Sequence, residues 1–98
     1  MAQKSWKVTV TTAGTAVQGP DTGAGIFLVQ AAPANAGLYI YIGDDGAGDV
    51  SSANGYALAA GMQAVITTTN MNLYWFDAAN SGDKADVLLQ QGLPTPPY

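Results

Sequence analysis

The side chains able to do chemistry in this chain are few and narrow in kind: seven aspartates, three lysines and five tyrosines, with no histidine, cysteine, glutamate or arginine. Acid–base or nucleophilic catalysis would therefore rest on Asp, Lys, Tyr, Ser or Thr. Paired-carboxylate hydrolysis of a glycoside needs two carboxyls facing each other across a cleft, one of them with a raised pKa. The spacing does not suggest such a pair. Asp21, Asp44, Asp45, Asp49 and Asp83 fall in turns, and Asp77 and Asp86 fall at strand ends. A chain of 98 residues also leaves little room for a substrate cleft. The residue set points away from an enzyme and calls for no cofactor.

Metal binding is the more serious chemical candidate. Asp44-Asp45-Gly46-Ala47-Gly48-Asp49 places three carboxylates on flexible backbone within six residues. Calcium takes six to eight oxygens, which carboxylates and carbonyls of a bent loop supply in part. Asp44, Asp45 and Asp49 are the candidate ligands. The spacing fails the EF-hand pattern, because the first, third and fifth positions would be Asp44, Gly46 and Gly48. It matches the glycine- and aspartate-rich calcium repeat only in part, and that motif works in tandem arrays whereas this is one copy. A solvated loop rich in turn formers explains the same residues without an ion.

The elements that must position these residues are strands. Trp6-Lys7-Val8-Thr9-Val10-Thr11 alternates apolar with polar, the period of a half-buried strand. Thr15–Gln18 is a second short candidate, closed by the turn Gly19-Pro20-Asp21. Ile26–Ala31 is a continuous apolar run, which predicts a strand buried on both faces. Leu38–Ile42 alternates tyrosine with aliphatic residues, and Val50–Ser52 reads as a short edge strand. Asn54-Gly55 is a tight-turn pair preceding Tyr56–Leu58. Met62–Thr67, Met71–Asp77 and Ala85–Gln90 complete the set. Seven to eight short strands at this spacing predict an all-β, antiparallel sandwich or jelly-roll-like domain over residues 1–92. Residues 93–98, with three prolines, read as a separate extended tail.

The aromatic residues are too many and too scattered for one core. Tyr39 and Tyr41 share one face of their strand, while Leu38, Ile40 and Ile42 share the other. With the aliphatic set inward, the two tyrosines form an outer row suited to a protein interface or, alternatively, a glycan platform. Tyr74-Trp75-Phe76 cannot all point into one core, so at least one ring faces out. A glycan site would be marked by Tyr74 or Trp75 beside Asp77. Trp6 and the chain ends are candidate anchors, with Leu93 and Tyr98 as apolar contacts of an arm laid on a neighbour.

Charge limits the partners. Only 10% of residues are charged, against roughly 25% in an ordinary soluble domain. A net charge of −4 with three lysines as the only cations argues against a nucleic-acid footprint and against electrostatic attachment to a membrane. The longest strongly apolar run, 25–32, is far short of a bilayer span. Met1–Trp6 has no apolar core of a signal peptide, so the chain reads as made in the cytoplasm and unprocessed. The remaining surface is Thr, Ser, Asn, Gln, Gly and Ala, which is easily desolvated.

The order of pieces carries a resemblance. Val8–Thr11 leads to Ala13–Gln18; Phe27–Ala31 meets Pro33–Gly37 and Tyr39–Gly43; Val50–Ser52 runs to Gly55–Leu58 and Ala60-Gly61; Leu73–Ala78 and Gly82-Asp83 complete it. This resembles a family of small tailed-bacteriophage virion proteins, some of which look like capsid decoration (cement) proteins. The resemblance covers most of residues 7–89 through short motifs of low individual specificity. It implies a β-sandwich that forms a homotrimer and binds the major capsid protein on the outer head surface at local threefold positions. There it would bridge neighbouring shell subunits, and the chain's location would be the virion. It transfers no site residue. The acidic loop Asp44–Asp49 and the proline-rich end depart from the pattern, and a contact specific to this chain would lie at either of them. Two other readings stay open: a glycan- or receptor-binding module of a head or tail fibre, and a structural protein of the tail or neck.

Overall fold

The computed structural model describes residues 4–37, 39–44, 50 and 55–92. Eight strands form: β1 (Ser5–Thr9), β2 (Val17–Gln18), β3 (Gly25–Ala31), β4 (Tyr39–Gly43), β5 (Tyr56–Ala59), β6 (Gln63–Thr68), β7 (Trp75–Ala78) and β8 (Lys84–Gly92). There is no α-helix among the described residues, and one 3-10 turn at Met71–Leu73 precedes β7. The sheets are antiparallel and four-stranded, in the orders β1-β8-β3-β6 and β2-β7-β4-β5. β1 pairs with β8, β2 with β7, β3 with β6 and β4 with β5. The chain is thus one long double ribbon, rolled until β8 also meets β3 and β7 also meets β4. That is the jelly-roll order, and the sandwich expected from the sequence is the fold.

The period of two decides what is inside. β3 is buried at Gly25, Phe27, Val29 and Ala31 and half-buried between them. Across from them lie Ile66 and Ala64 of β6 and Leu89, Val87 and Ala85 of β8, pointing the same way. The second sheet contributes Phe76 and Ala78 from β7, Ile40 and Ile42 from β4, and Leu58 from β5, all buried. Trp6 packs edge-on against Phe27, with ring centroids 6.1 Å apart. One bulge interrupts the ladder, between Ile26 and Phe27 opposite β8.

Several elements differ from the sequence expectation. Met71–Asp77 is not one strand. Asn70 accepts from the Asn72 N–H at 2.9 Å and caps a 3-10 turn, so β7 begins only at Trp75. β2 is reduced to two residues, because Thr15 closes a turn onto Thr12. β1 ends at Thr9, yet Val10 stays in the core through its ties to Asp83 and Gly82. Val50 is buried but lies in no strand, and Ser51 and Ser52 fall outside the described residues, as do Leu38, Leu93 and Tyr98. The strongest departure is β3: its second face, expected to be covered, is only half-buried.

The loops are tied by short polar side chains. Asp83, 5% exposed, accepts from the N–H groups of Ala36 and Gly37 at 2.9 and 2.8 Å with its two oxygens. A Cβ on Gly37 would stand 2.7 Å from that carboxylate, so only glycine admits the contact. Asn35 donates to the Lys84 carbonyl and accepts from the Lys84 N–H, both at 2.8 Å, copying a strand pairing. At the opposite end Asn70 also accepts from Thr22 and donates to Asp21, while Thr22 accepts from the Met71 N–H. Asp83→Ala strands two N–H groups beneath the loop. It should lower stability by about 2–3 kcal/mol, which is roughly 10–20 °C in Tm for a domain this size. Thermal melting by circular dichroism checks this, and a shift under a few degrees would show the clamp to be dispensable.

Candidate functional site

Alternation fixes which side chains the two sheets turn outward. On the β1-β8-β3-β6 sheet, register aligns Ser5, Leu88, Leu28 and Val65 in one cross-strand row. The next row is Lys7, Asp86, Gln30 and Gln63. The first row is apolar over three strands. Leu28 and Leu88 are half-buried by their neighbours alone, Val65 is 63% exposed, and Ile26 extends the patch toward Thr67. The second row is polar and holds an ion pair, Lys7 Nζ to Asp86 Oδ1 at 2.7 Å. The Lys7 side chain is 69% exposed, so this pair contributes little to stability. Sequence reasoning missed Leu28, Val65 and Leu88 as surface residues. The signal was present: a run apolar at both parities leaves one face uncovered when only one sheet packs on it.

The other sheet turns out Tyr39 and Tyr41 from β4 and Trp75 from β7. Their inward neighbours Ile40 and Ile42 are buried, as the alternation predicted. The tyrosine rings lie 6.1 Å apart at 43°, and Tyr39 is 41% exposed. Trp75 stands opposite Gly43, which offers no side chain beside the indole. Three of the predicted interface residues therefore share one surface. Trp6 and Tyr74 do not join them: both are half-buried and pack against the core. Of Tyr74-Trp75-Phe76, only Phe76 is fully inside.

Asp77 corrects the sequence reading. It lies within β7, on the outer side of its sheet opposite Tyr41, yet is 3% exposed. Its Oδ1 accepts from Gly14 N–H at 2.9 Å and from Ala78 N–H at 2.8 Å, while Ser81 holds Ala13. The β1–β2 loop is thus fastened over it. Its engaged carboxylate is not available to pair with Trp75 in holding a sugar. Asp83, which the sequence places in a turn, is likewise buried and structural. Asp44 is exposed at the end of β4, and Asp45 and Asp49 fall outside the described residues. No group of three or more acidic side chains able to hold a metal gathers among the described residues.

Between the open edges of the two sheets lies a cleft of about 470 Å³, lined by Ile42, Tyr56, Ala64, Ile66 and Tyr74, with Gln63 and Val65 also on its wall. The small chain therefore does form a recess, and among the described residues its walls carry phenols and an amide but no carboxylate. Tyr74 ionises above the ordinary tyrosine range, first because burial disfavours phenolate and second because Asp44 places negative charge nearby. The fold favours the protonated phenol. That stabilisation is complete below about pH 10, the unfolded value, and is lost as pH rises through the raised folded value. Alkaline titration followed by tyrosinate absorbance should show one late-ionising group, absent in Tyr74→Phe and moved part of the way back in Asp44→Asn. If Tyr74→Phe removes a group of ordinary pKa instead, this account of the pocket is wrong.

Compared with known protein families, curated sequences and solved structures, the chain matches none.

Proposed function

We propose that this domain is a non-catalytic structural tile, a capsid decoration protein that binds the outer surface of a tailed-phage head and bridges neighbouring major capsid subunits. One observation carries the reading: both outer faces of the sandwich present uncharged apolar rows, Leu88–Leu28–Val65 on one sheet and Tyr39–Tyr41 with Trp75 on the other. A reader of a single ligand needs one such face. A bridge needs two, and these point in opposite directions. Rings and branched chains bury large area at small entropic cost, and the polar remainder of the surface is desolvated with little penalty. The jelly-roll order is compatible with virion proteins, but it is shared with lectins and enzymes and decides nothing alone.

The resemblance adds the expectation of a homotrimer at local threefold positions. The second reading, a glycan-binding module on a fibre, draws on Trp75 beside Gly43. It is weakened because Asp77, the polar partner it would use, is buried and engaged. A structural role in the tail or neck uses the same two faces and differs only in location.

Mixing the chain with undecorated heads and following shell melting tests the proposal. Wild type should bind and raise the melting temperature of the shell. Leu28→Lys and Tyr39→Ala each remove one face and should each weaken binding roughly ten- to thirtyfold, the effect of losing an interface anchor. No binding and no stabilisation by the wild-type chain would overturn the reading. Loss through one face only would reduce the bridge to a single-sided cap.

A further inference from the structure

Among the described residues, the four sheet edges are not equally protected. β2 is two residues long, too short to template another strand. β1 carries Lys7 and follows Lys4, the charges natural sheets use to deter pairing. β5 has four residues, of which only Tyr56 is bulky and outside the core. β6 is different. Gln63-Ala64-Val65-Ile66-Thr67-Thr68 has no charge, no proline and no glycine, and three of its residues are β-branched Val, Ile or Thr in succession with a fourth following. Its ladder to β3 runs without a bulge through all six residues, from Gly25–Thr68 to Gln30–Gln63. Val65 on its outer side is 63% exposed, and Met62 just before it is 58% exposed. On its inner side Ala64 and Ile66 are only half-buried, beside the cleft.

We infer that β6 pairs antiparallel with β6 of a second copy about a twofold axis normal to the sheet, extending the four-stranded sheet to eight strands. The occupant is a second copy because a strand edge is complementary to itself under that symmetry: each N–H and C=O row meets its own reversed image. The axis keeps both outer faces on one side, so opposed residues must share parity. Centred on Val65, the pairing sets Val65 against Val65 of the second copy. The apolar row Leu88–Leu28–Val65 then runs on unbroken into the other subunit. It sets Ala64 opposite Ile66 of the second copy, covering the two inner side chains the monomer leaves half-buried. The molecule carries −4 overall, which opposes self-association, and β6 is a strand where no charge opposes it.

An edge of six residues is about 20 Å long. The area it covers falls toward the small end of specific interfaces, where association is transient, so the dimer should dissociate on dilution. This inference concerns the isolated chain and goes beyond the proposed function, which rests on the two sheet faces and is read by shell binding.

The chain has no cysteine, which makes the register directly testable. Val65→Cys should cross-link to a two-chain species under mild oxidation, because directly opposed Cα atoms in an antiparallel pair lie within disulfide range. Thr9→Cys, exposed on the guarded β1 edge, serves as the control and should not. Val65→Lys sets two ammonium groups face to face and should shift sedimentation to one chain at concentrations where wild type is paired, with Tm of the monomer unchanged. Wild type sedimenting as one chain at high concentration would overturn the inference. So would a Val65→Cys yield no greater than the control, or a three-chain assembly indifferent to Val65→Lys.

Discussion

The pairing of β3 with β8 turns a long hairpin ribbon into a closed sandwich, and most of the molecule depends on it. Each of the other ladders either continues the ribbon or, like β4 with β7, follows once the ribbon has rolled. The junction joins Phe27 to Leu89, Val29 to Val87 and Ala31 to Ala85, pairs some sixty residues apart in the chain. Its inward members are fully or nearly fully buried, while Leu89 packs on the core from its margin. Because closing so long a loop is entropically unfavourable until these contacts form, the stabilisation that this junction supplies arrives together. The bulge between Ile26 and Phe27 relaxes the ladder at one end and lets β8 bend around the core.

That constraint explains how the polar residues are used. A rolled ribbon brings three loops to one end of the sandwich, where backbone donors would be buried without partners. Asp83, Asn35, Asp77 and Ser81 supply acceptors from short side chains that reach only their neighbours. Asn70 and Thr22 do the same at the other end. Two of the seven aspartates, which looked like the chain's chemical resource, are consumed as loop fasteners. No buried side-chain nitrogen or oxygen among the described residues lacks a partner, which is the condition for tolerating charge in so small a core.

The fold was legible in the sequence wherever one face was polar. Val8 against Lys7 and Thr9, or Ile40 and Ile42 against Tyr39 and Tyr41, fixes strand and facing together. It was illegible where tertiary ties override pattern. Met71-Asn72-Leu73 reads as strand by composition, and Asn70 turns it into a 3-10 cap by a local hydrogen bond. Asp77 reads as a strand-end charge, and only the β1–β2 loop folding over it makes it structural. The candidate surfaces divide the same way. Tyr39 and Tyr41 were visible as an outer row, but the partnership of Leu28, Leu88 and Val65 needs strand order, since they lie on three strands distant in sequence. Trp6 looked free because nothing in its neighbourhood announces Phe27.

Parity, rather than fold, is what supports the proposed assembly. In a sandwich that lives alone, the outward positions of a central strand carry polar residues, because nothing covers them. β3 carries Ile26 and Leu28 there, and β8 sets Leu88 beside them. A monomer gains only part of the burial that these side chains can supply, because their neighbours leave them half-exposed. It also incurs an aggregation hazard, made worse by a surface with few charges to keep molecules apart. A sequence that places polar residues at every loop and apolar ones in these outward rows fits the proposed bridging role.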